Sequence, residues 1–221
     1  MRDDCQLNLP SPRAHYVAPA FTLSVQGEGW GEGHFLRGTD HYTMSVWIGL
    51  FRGINIGGNR MPMKELVRLL TAQGLGDVKT YIASGNVLFR SDRTESDLRA
   101  MIEKLVQDNF GFHSHLFLIT LPHLEKLMAA NPFRDHEHKG AAQHLFFIQG
   151  PITKADTARM DDLKAGNEAY HLTDECFYFY APDGVGRSKL IEKLAQCLKA
   201  DMTARNLNTC ETLAQMATDM G

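Results

Sequence analysis

The chain reads as an α+β protein made of two tandem ferredoxin-like (βαββαβ) units, each followed by an extra helix. Three observations predict this. After residue 44, β-rich runs and runs of helical period alternate in one order, and that order occurs twice. Each half carries two short β-rich runs joined by a turn signal. A polar, Gly/Pro-marked stretch, NPFRDHEHKGAAQ at 131–143, lies between the halves and is expected to be the linker.

In the first unit, 44–130, the run VWIGLF predicts a strand over 46–51. A helix follows over 63–73, with Leu66, Val67, Leu69 and Leu70 on its apolar side. Strands are expected over 78–83 and 87–90, joined by Ser84-Gly85-Asn86. Leu98, Met101, Ile102, Leu105 and Val106 recur at helical spacing and predict a helix over 94–110. A strand over 113–119 closes the unit. A helix over 122–130 follows it and stops at Asn131-Pro132.

The second unit, 144–221, repeats the order without repeating the residues. It reads as strand 144–149, helix 153–165, strands 169–172 and 176–180, helix 188–199, a short strand 202–204 and a last helix 208–218.

Residues 1–43 show no apolar periodicity and are rich in Gly, Pro and Ser, which predicts a disordered leader. They lack a cationic start followed by an apolar core, so they are not a secretory signal. Met44 directly precedes the first strand and is read as the native start, with the leader as a mis-assigned upstream extension; the competing reading is a genuine disordered tail.

Apolar residues make up 43% of the chain and charged residues 22%, the balance of a soluble globular protein. No apolar run reaches the ~18 residues of a membrane span, so no membrane partner is expected. The net charge of −3 argues against a broad cationic surface for duplex nucleic acid. Cys5, Cys176, Cys197 and Cys210 are widely spaced and form no CxxC pair, which favours free thiols and a cytoplasmic location.

Two polar clusters stand out. The first is RGINIGG, with Arg52, Asn55, Gly57 and Gly58, together with the turn Ser84-Gly85-Asn86. In a βαββαβ sheet the first and second strands run parallel with the third between them, which puts that loop beside that turn. Glycine-rich loops ahead of a helix can gather amides around an anion, and arginine adds bidentate, charge-assisted bonds. The competing reading is a tight strand-to-helix turn braced by asparagine side chains. GxxxxGK[ST] and GxGxxG are both absent, so no nucleotide-cofactor motif is present and no cofactor is expected.

The second cluster is GRSK with ARNLN: Arg187, Ser188, Lys189, Arg205 and Asn206. Ser188 suits a helix cap, and the flanking cations sit where the helix dipole does not favour them, as if an anion lay between them; the competing reading is two solvated basic side chains. The same topology brings these two segments to one end of the second sheet.

CFYFY, at 176–180, alternates Phe177 and Phe179 on one face with Tyr178 and Tyr180 on the other. One face stacks bases in RNA-binding sheets of this topology, but the RNP1 pattern is absent, and packing against the other unit is the plainer reading. His113 with His115, and Asp135-His136-Glu137-His138, lack the converging third ligand of a metal site and read as solvated histidines. Neither Cys176 nor Cys210 has a His or Asp partner by spacing.

RGINIGG, then PM, TYIASGNVLF, GRSKL and TARNLNT occur in that order, and the chain resembles the bacterial family catalogued as domain of unknown function 1697 across about 44–216. The resemblance implies a cytoplasmic α/β protein and supplies no established reaction. By matching, its signature positions are Arg52, Gly53, Asn55, Gly57, Gly58, Ser84, Gly85, Asn86, Gly186, Arg187, Ser188, Lys189, Arg205 and Asn206. Ile56, Ala83 and Leu207 depart from the family's Val, Gln and Trp.

The leading expectation is a protein that binds an anionic, phosphate-bearing ligand, either a phosphorylated small molecule such as a nucleotide or the end of a single-stranded nucleic acid. The alternatives are an enzyme acting on a phosphorylated substrate, with Arg52 or Lys189 stabilising charge, and a non-catalytic interaction module using the aromatic strand.

Overall fold

The computed structural model describes residues 44–55, 57–136, 140–152 and 154–221. The leader expected over 1–43 lies outside them, as do Glu137, His138 and Lys139 of the polar stretch. The first half runs β1 (Ser45–Phe51), α1 (Met63–Ala72), β2 (Gly76–Tyr81), β3 (Asn86–Ser91), α2 (Glu95–Phe110), β4 (Leu116–Thr120) and α3 (Leu121–Ala129). The second runs β5 (Gln143–Gln149), α4 (Thr157–Leu163), β6 (Ala169–Leu172), β7 (Cys176–Tyr180), α5 (Lys189–Leu198), β8 (Asp201–Asn206) and α6 (Leu207–Thr218). Among the described residues, six helices and two four-stranded antiparallel sheets make this an α+β fold.

The sheet orders are β2-β3-β1-β4 and β6-β7-β5-β8. In each sheet the first and third strands of the half are central and pair antiparallel, Ile48 opposite Leu88 and Phe146 opposite Phe177. The expected element order therefore holds, with shifted ends. α4 is shorter than expected because Asp156 caps it, its carboxylate accepting from the Arg159 amide. β8 is longer than expected and takes in Arg205 and Asn206, which are strand residues rather than an exit loop.

Strand alternation divides the core into three. On the outer face of the first sheet, Phe51, Val87, Phe89, Leu116 and Leu118 meet Leu66 and Leu70 of α1 and Leu98 and Ile102 of α2. On the outer face of the second sheet, Phe146, Phe177 and Phe179 meet Met160 of α4 and Leu190 and Leu194 of α5. The third cluster is shared between the halves. Ile48, Leu50, Phe117 and Ile119 of one sheet and Leu145, Phe147 and Tyr178 of the other close on Leu124 and Leu127 of α3 and Leu213 and Ala217 of α6. α6 touches strands of both sheets.

The aromatic strand is explained by this division. Phe177 and Phe179 face α4 and α5, while Tyr178 is only 1% exposed and donates from its hydroxyl to the Leu127 carbonyl at 3.0 Å. Tyr180 packs at the edge of the shared core, stacking edge-on to His136. Phe177, Tyr178 and Phe179 are buried and Tyr180 is half-buried, so the strand offers little open aromatic face to the interaction module expected at 176–180. His136 is exposed, as expected of a solvated histidine, and its ring also lies edge-on to Phe133 and Tyr180.

Candidate functional site

The segment after β1 turns back on itself through left-handed residues, Gly53 (φ 69°), Asn55 (φ 55°), Gly57 (φ 57°) and Gly58 (φ 96°). Asn55 is the brace. Its amide oxygen accepts from the Met61 N–H at 2.9 Å, and its Nδ2 donates to the Met61 carbonyl at 3.3 Å and the Ala83 carbonyl at 2.8 Å. Asn59 Nδ2 closes the loop on the Gly53 carbonyl at 3.1 Å. Met61 is fully buried and anchors the exit into α1.

The β2–β3 turn lies beside this loop, as the strand order requires. The Phe51 amide donates to the Gly85 carbonyl at 2.8 Å. Gly85 has φ 83°, and a Cβ there would stand 2.5 Å from Ile54 Cδ1 and 2.9 Å from Phe51 Cβ, so both conformation and packing demand glycine. Asn86 is buried and donates to the Tyr81 carbonyl at 2.9 Å and to Ser84 Oγ at 3.1 Å.

Arg205 reaches into this assembly from the second half. Its Nε donates to Asn86 Oδ1. Nη2 donates to the carbonyls of Phe51 (2.9 Å), Ser84 (3.1 Å) and Gly85 (3.2 Å), and Nη1 to Thr203 Oγ1 (3.1 Å) and the Ala204 carbonyl (2.7 Å). The side chain is 7% exposed, and burial draws its pKa down to about 10, so it stays charged at neutral pH. Every acceptor it meets is neutral.

Above this contact lies an open cleft of about 550 Å³ between the halves, bordered by Arg52, Gly53, Ser84, Phe146, Met202 and Arg205 among others. At its edge Arg52 Nη1 meets Asp201 Oδ1 at 2.9 Å, with the two side chains 40% and 55% exposed. Gly57 and Gly58, with Asn55, Asn59 and Arg60, border a separate open depression of about 300 Å³.

The structure thus brings Arg52, Asn55, Ser84 and Arg205 to one cleft, with Asn86 behind them. The second expected cluster divides. Arg187 ends a single 3-10 turn, Val185–Arg187, and is exposed, as is Lys189 at the start of α5. Ser188 caps α5 by accepting from the Ile191 amide at 3.3 Å, and Asn206 caps α6 by accepting from the Thr209 amide at 2.9 Å. Arg205 does not join Arg187, because its side chain is taken up by the carbonyls of the first half.

Asp201, Thr203, Ile54 and Phe146 were missed in the sequence. Asp201, Thr203 and Arg205 alternate along β8, and that period-two polar pattern was the available signal.

Cys176, Cys197 and Cys210 are buried free thiols. Burial pushes Cys210 up to about 12 and Cys176 also upward, which leaves both as neutral packing groups. Among the described residues no three His, Cys, Asp or Glu side chains converge as metal ligands, and no helix is long and apolar enough to cross a membrane.

An α+β fold of two antiparallel sheets with an arginine-bordered cleft between them defines the structural class. The family described as protein of unknown function (DUF1697) matches residues 44–178, and the chain belongs to it. RGINIGG and TYIASGNVLF lie inside that span, and GRSKL and TARNLNT lie beyond it. The solved structure of a conserved bacterial protein from Streptococcus pneumoniae is similar at TM-score 0.58 and 24% identity, covering 79% of this chain and 99% of that one, a likeness of fold. The comparison with curated proteins returned no match.

Proposed function

We propose that the protein binds a small phosphate-bearing anion in the cleft between its halves. The observation that carries this reading is the buried charge of Arg205. A guanidinium taken out of water and met only by neutral oxygens leaves net positive potential at the cleft floor. Its donors are already engaged, so it acts through charge. Arg52 is the exchangeable grip, because an incoming phosphate offers bidentate bonds in place of the single exposed contact to Asp201. The amides of Gly57 and Gly58, next to the cleft, suit a cradle for a second anionic group.

The architecture that goes with this is a pair of ferredoxin-like units, 44–130 and 144–221, joined through 131–143, a reading supported by the two equivalent strand orders. Cytoplasmic residence is supported by Cys176, Cys197 and Cys210, which are free thiols.

Thermal shift and calorimetry on the full chain with inorganic phosphate and nucleoside monophosphates test the reading. Wild type is expected to gain several degrees in Tm, and Arg52→Ala to lose that gain while keeping its own basal Tm. No shift with any of these probes removes the proposal.

A second reading, an enzyme acting on a phosphorylated substrate, is favoured by Asp201, a carboxylate within hydrogen-bond reach of Arg52 at the same cleft. Under it, Asp201→Asn keeps phosphate binding and loses turnover of a phosphomonoester. Turnover retained in that variant excludes Asp201 as the base.

A further inference from the structure

Four non-glycine residues among those described have positive φ: Asn55, Asp77, Ile82 and Lys199. Ile82, at φ 49°, is the β-branched one, and a branched Cβ makes that conformation a true outlier. It is also 52% exposed. Among the described residues it is the large apolar side chain most open to water, ahead of Met44 at 42%.

The strain is held in place from both sides. The carbonyl before Ile82, on Tyr81, accepts from Asn86 Nδ2 at 2.9 Å, and the carbonyl after it, on Ala83, accepts from Asn55 Nδ2 at 2.8 Å. Arg205 then fixes the carbonyls of Ser84 and Gly85. Glycine at position 82 would satisfy the same turn without strain and without an exposed apolar group. The backbone therefore gives no reason for isoleucine; a reason must come from the side chain. Ala83 and Ser84, the next two residues, border the cleft, whose walls include Ile54, Phe146 and Met202. Strained residues that a fold holds in place cluster at active sites and ligand clamps.

We propose that Ile82 is a specificity-determining contact of this cleft, packing against the ring of a nucleotide whose phosphate lies at Arg52. This rests on the phosphate-binding reading above and names the ligand class within it. The phosphate supplies affinity through charge, and the apolar rim distinguishes a nucleotide from inorganic phosphate.

The test compares inorganic phosphate with adenosine and uridine monophosphate, by calorimetry, on wild type, Ile82→Gly and Ile82→Asn. Both replacements accept a left-handed backbone, so both are expected to fold with a Tm at or above wild type. The expected result is about tenfold weaker binding of the nucleotides in both variants, the loss of one buried aliphatic side chain, with phosphate affinity unchanged. Nucleotide affinity unchanged in the variants overturns the inference and leaves Ile82 a strained turn residue. Wild type that binds phosphate and nucleotides equally well overturns it too, while leaving the phosphate site standing. Wild type that binds neither defeats the phosphate reading itself and this inference with it.

Discussion

The β2–β3 turn and the β6–β7 turn occupy the same station in the two halves, yet they are held by opposite means. The first is fixed by Arg205, a buried side chain from the second half that spends its donors on backbone carbonyls. The second closes on itself: the Thr173 amide donates to the Cys176 carbonyl at 2.9 Å, and Thr173 Oγ1 accepts from the Cys176 amide at 3.0 Å. Its tie to the first half is an exposed one, with Glu175 meeting Lys126 Nζ at 2.7 Å and His123 Nε2 at 3.3 Å. Each hairpin is thus gripped by the other half, one in a dry contact and one in water. The dry contact cannot be released without stranding polar groups, whereas the wet one is easily replaced by solvent. The open cleft and the strained Ile82 are found at the dry contact, where a distorted turn can be held.

The sharpest way to break this contrast is at Arg205. Arg205→Ala strands the carbonyls of Phe51, Ser84 and Gly85 and the Asn86 amide oxygen. It is expected to destabilise by about 3–5 kcal/mol in urea unfolding. Arg205→Lys is expected to recover little of this, since a single ammonium cannot span acceptors that a planar fork reaches. A loss under ~1 kcal/mol would mean that the two turns are held alike.

Gly85→Ala tests the same turn from within. The added methyl meets Ile54 and Phe51 and forces alanine into positive φ, so a loss of about 2–3 kcal/mol is expected by the same measurement. Gly57→Ala separates the two demands. A Cβ there meets nothing within 4 Å, so only conformational strain remains, about 1 kcal/mol.

Strand order alone put the glycine loop beside Ser84-Gly85-Asn86, because local periodicity fixes element type and topology fixes neighbours. The burial of Tyr178 followed from alternation and from the need of a two-faced strand for two partners. The role of Arg205 was not legible. It sits next to Asn206 in sequence and at the same sheet end as the loop holding Arg187, so its placement with the second cluster was reasonable. Its acceptors are backbone carbonyls more than a hundred residues away, and carbonyls carry no residue signature. The bracing by Asn55 and Asn86 was visible only as an alternative, because asparagine serves loops and ligands with the same atoms. The strain at Ile82 left no trace in composition, since isoleucine in TYIASGN reads as strand.

The smallest effect is expected at the wet turn, and its dependence on conditions is what makes it informative. The hydrogen bond from Lys126 holds the Glu175 carboxyl below the usual carboxylate range, with His123 adding to this and slight burial opposing it. A carboxylate whose folded pKa is depressed stabilises the fold above its unfolded pKa of about 4.3, and that contribution is lost as pH falls through the lower folded value. With both partners largely solvated, the pair is worth under ~1 kcal/mol. Lys126→Met is therefore expected to lower stability by a few tenths of a kcal/mol at pH 7. It should have no effect once pH has fallen past the lowered folded pKa of Glu175, or in about 1 M salt, where protonation or screening removes the attraction. The loss in Arg205→Ala should persist in the same salt, because its acceptors are neutral and out of water. If the two losses responded to salt alike, the division of the seam into a dry contact and a wet one would fail.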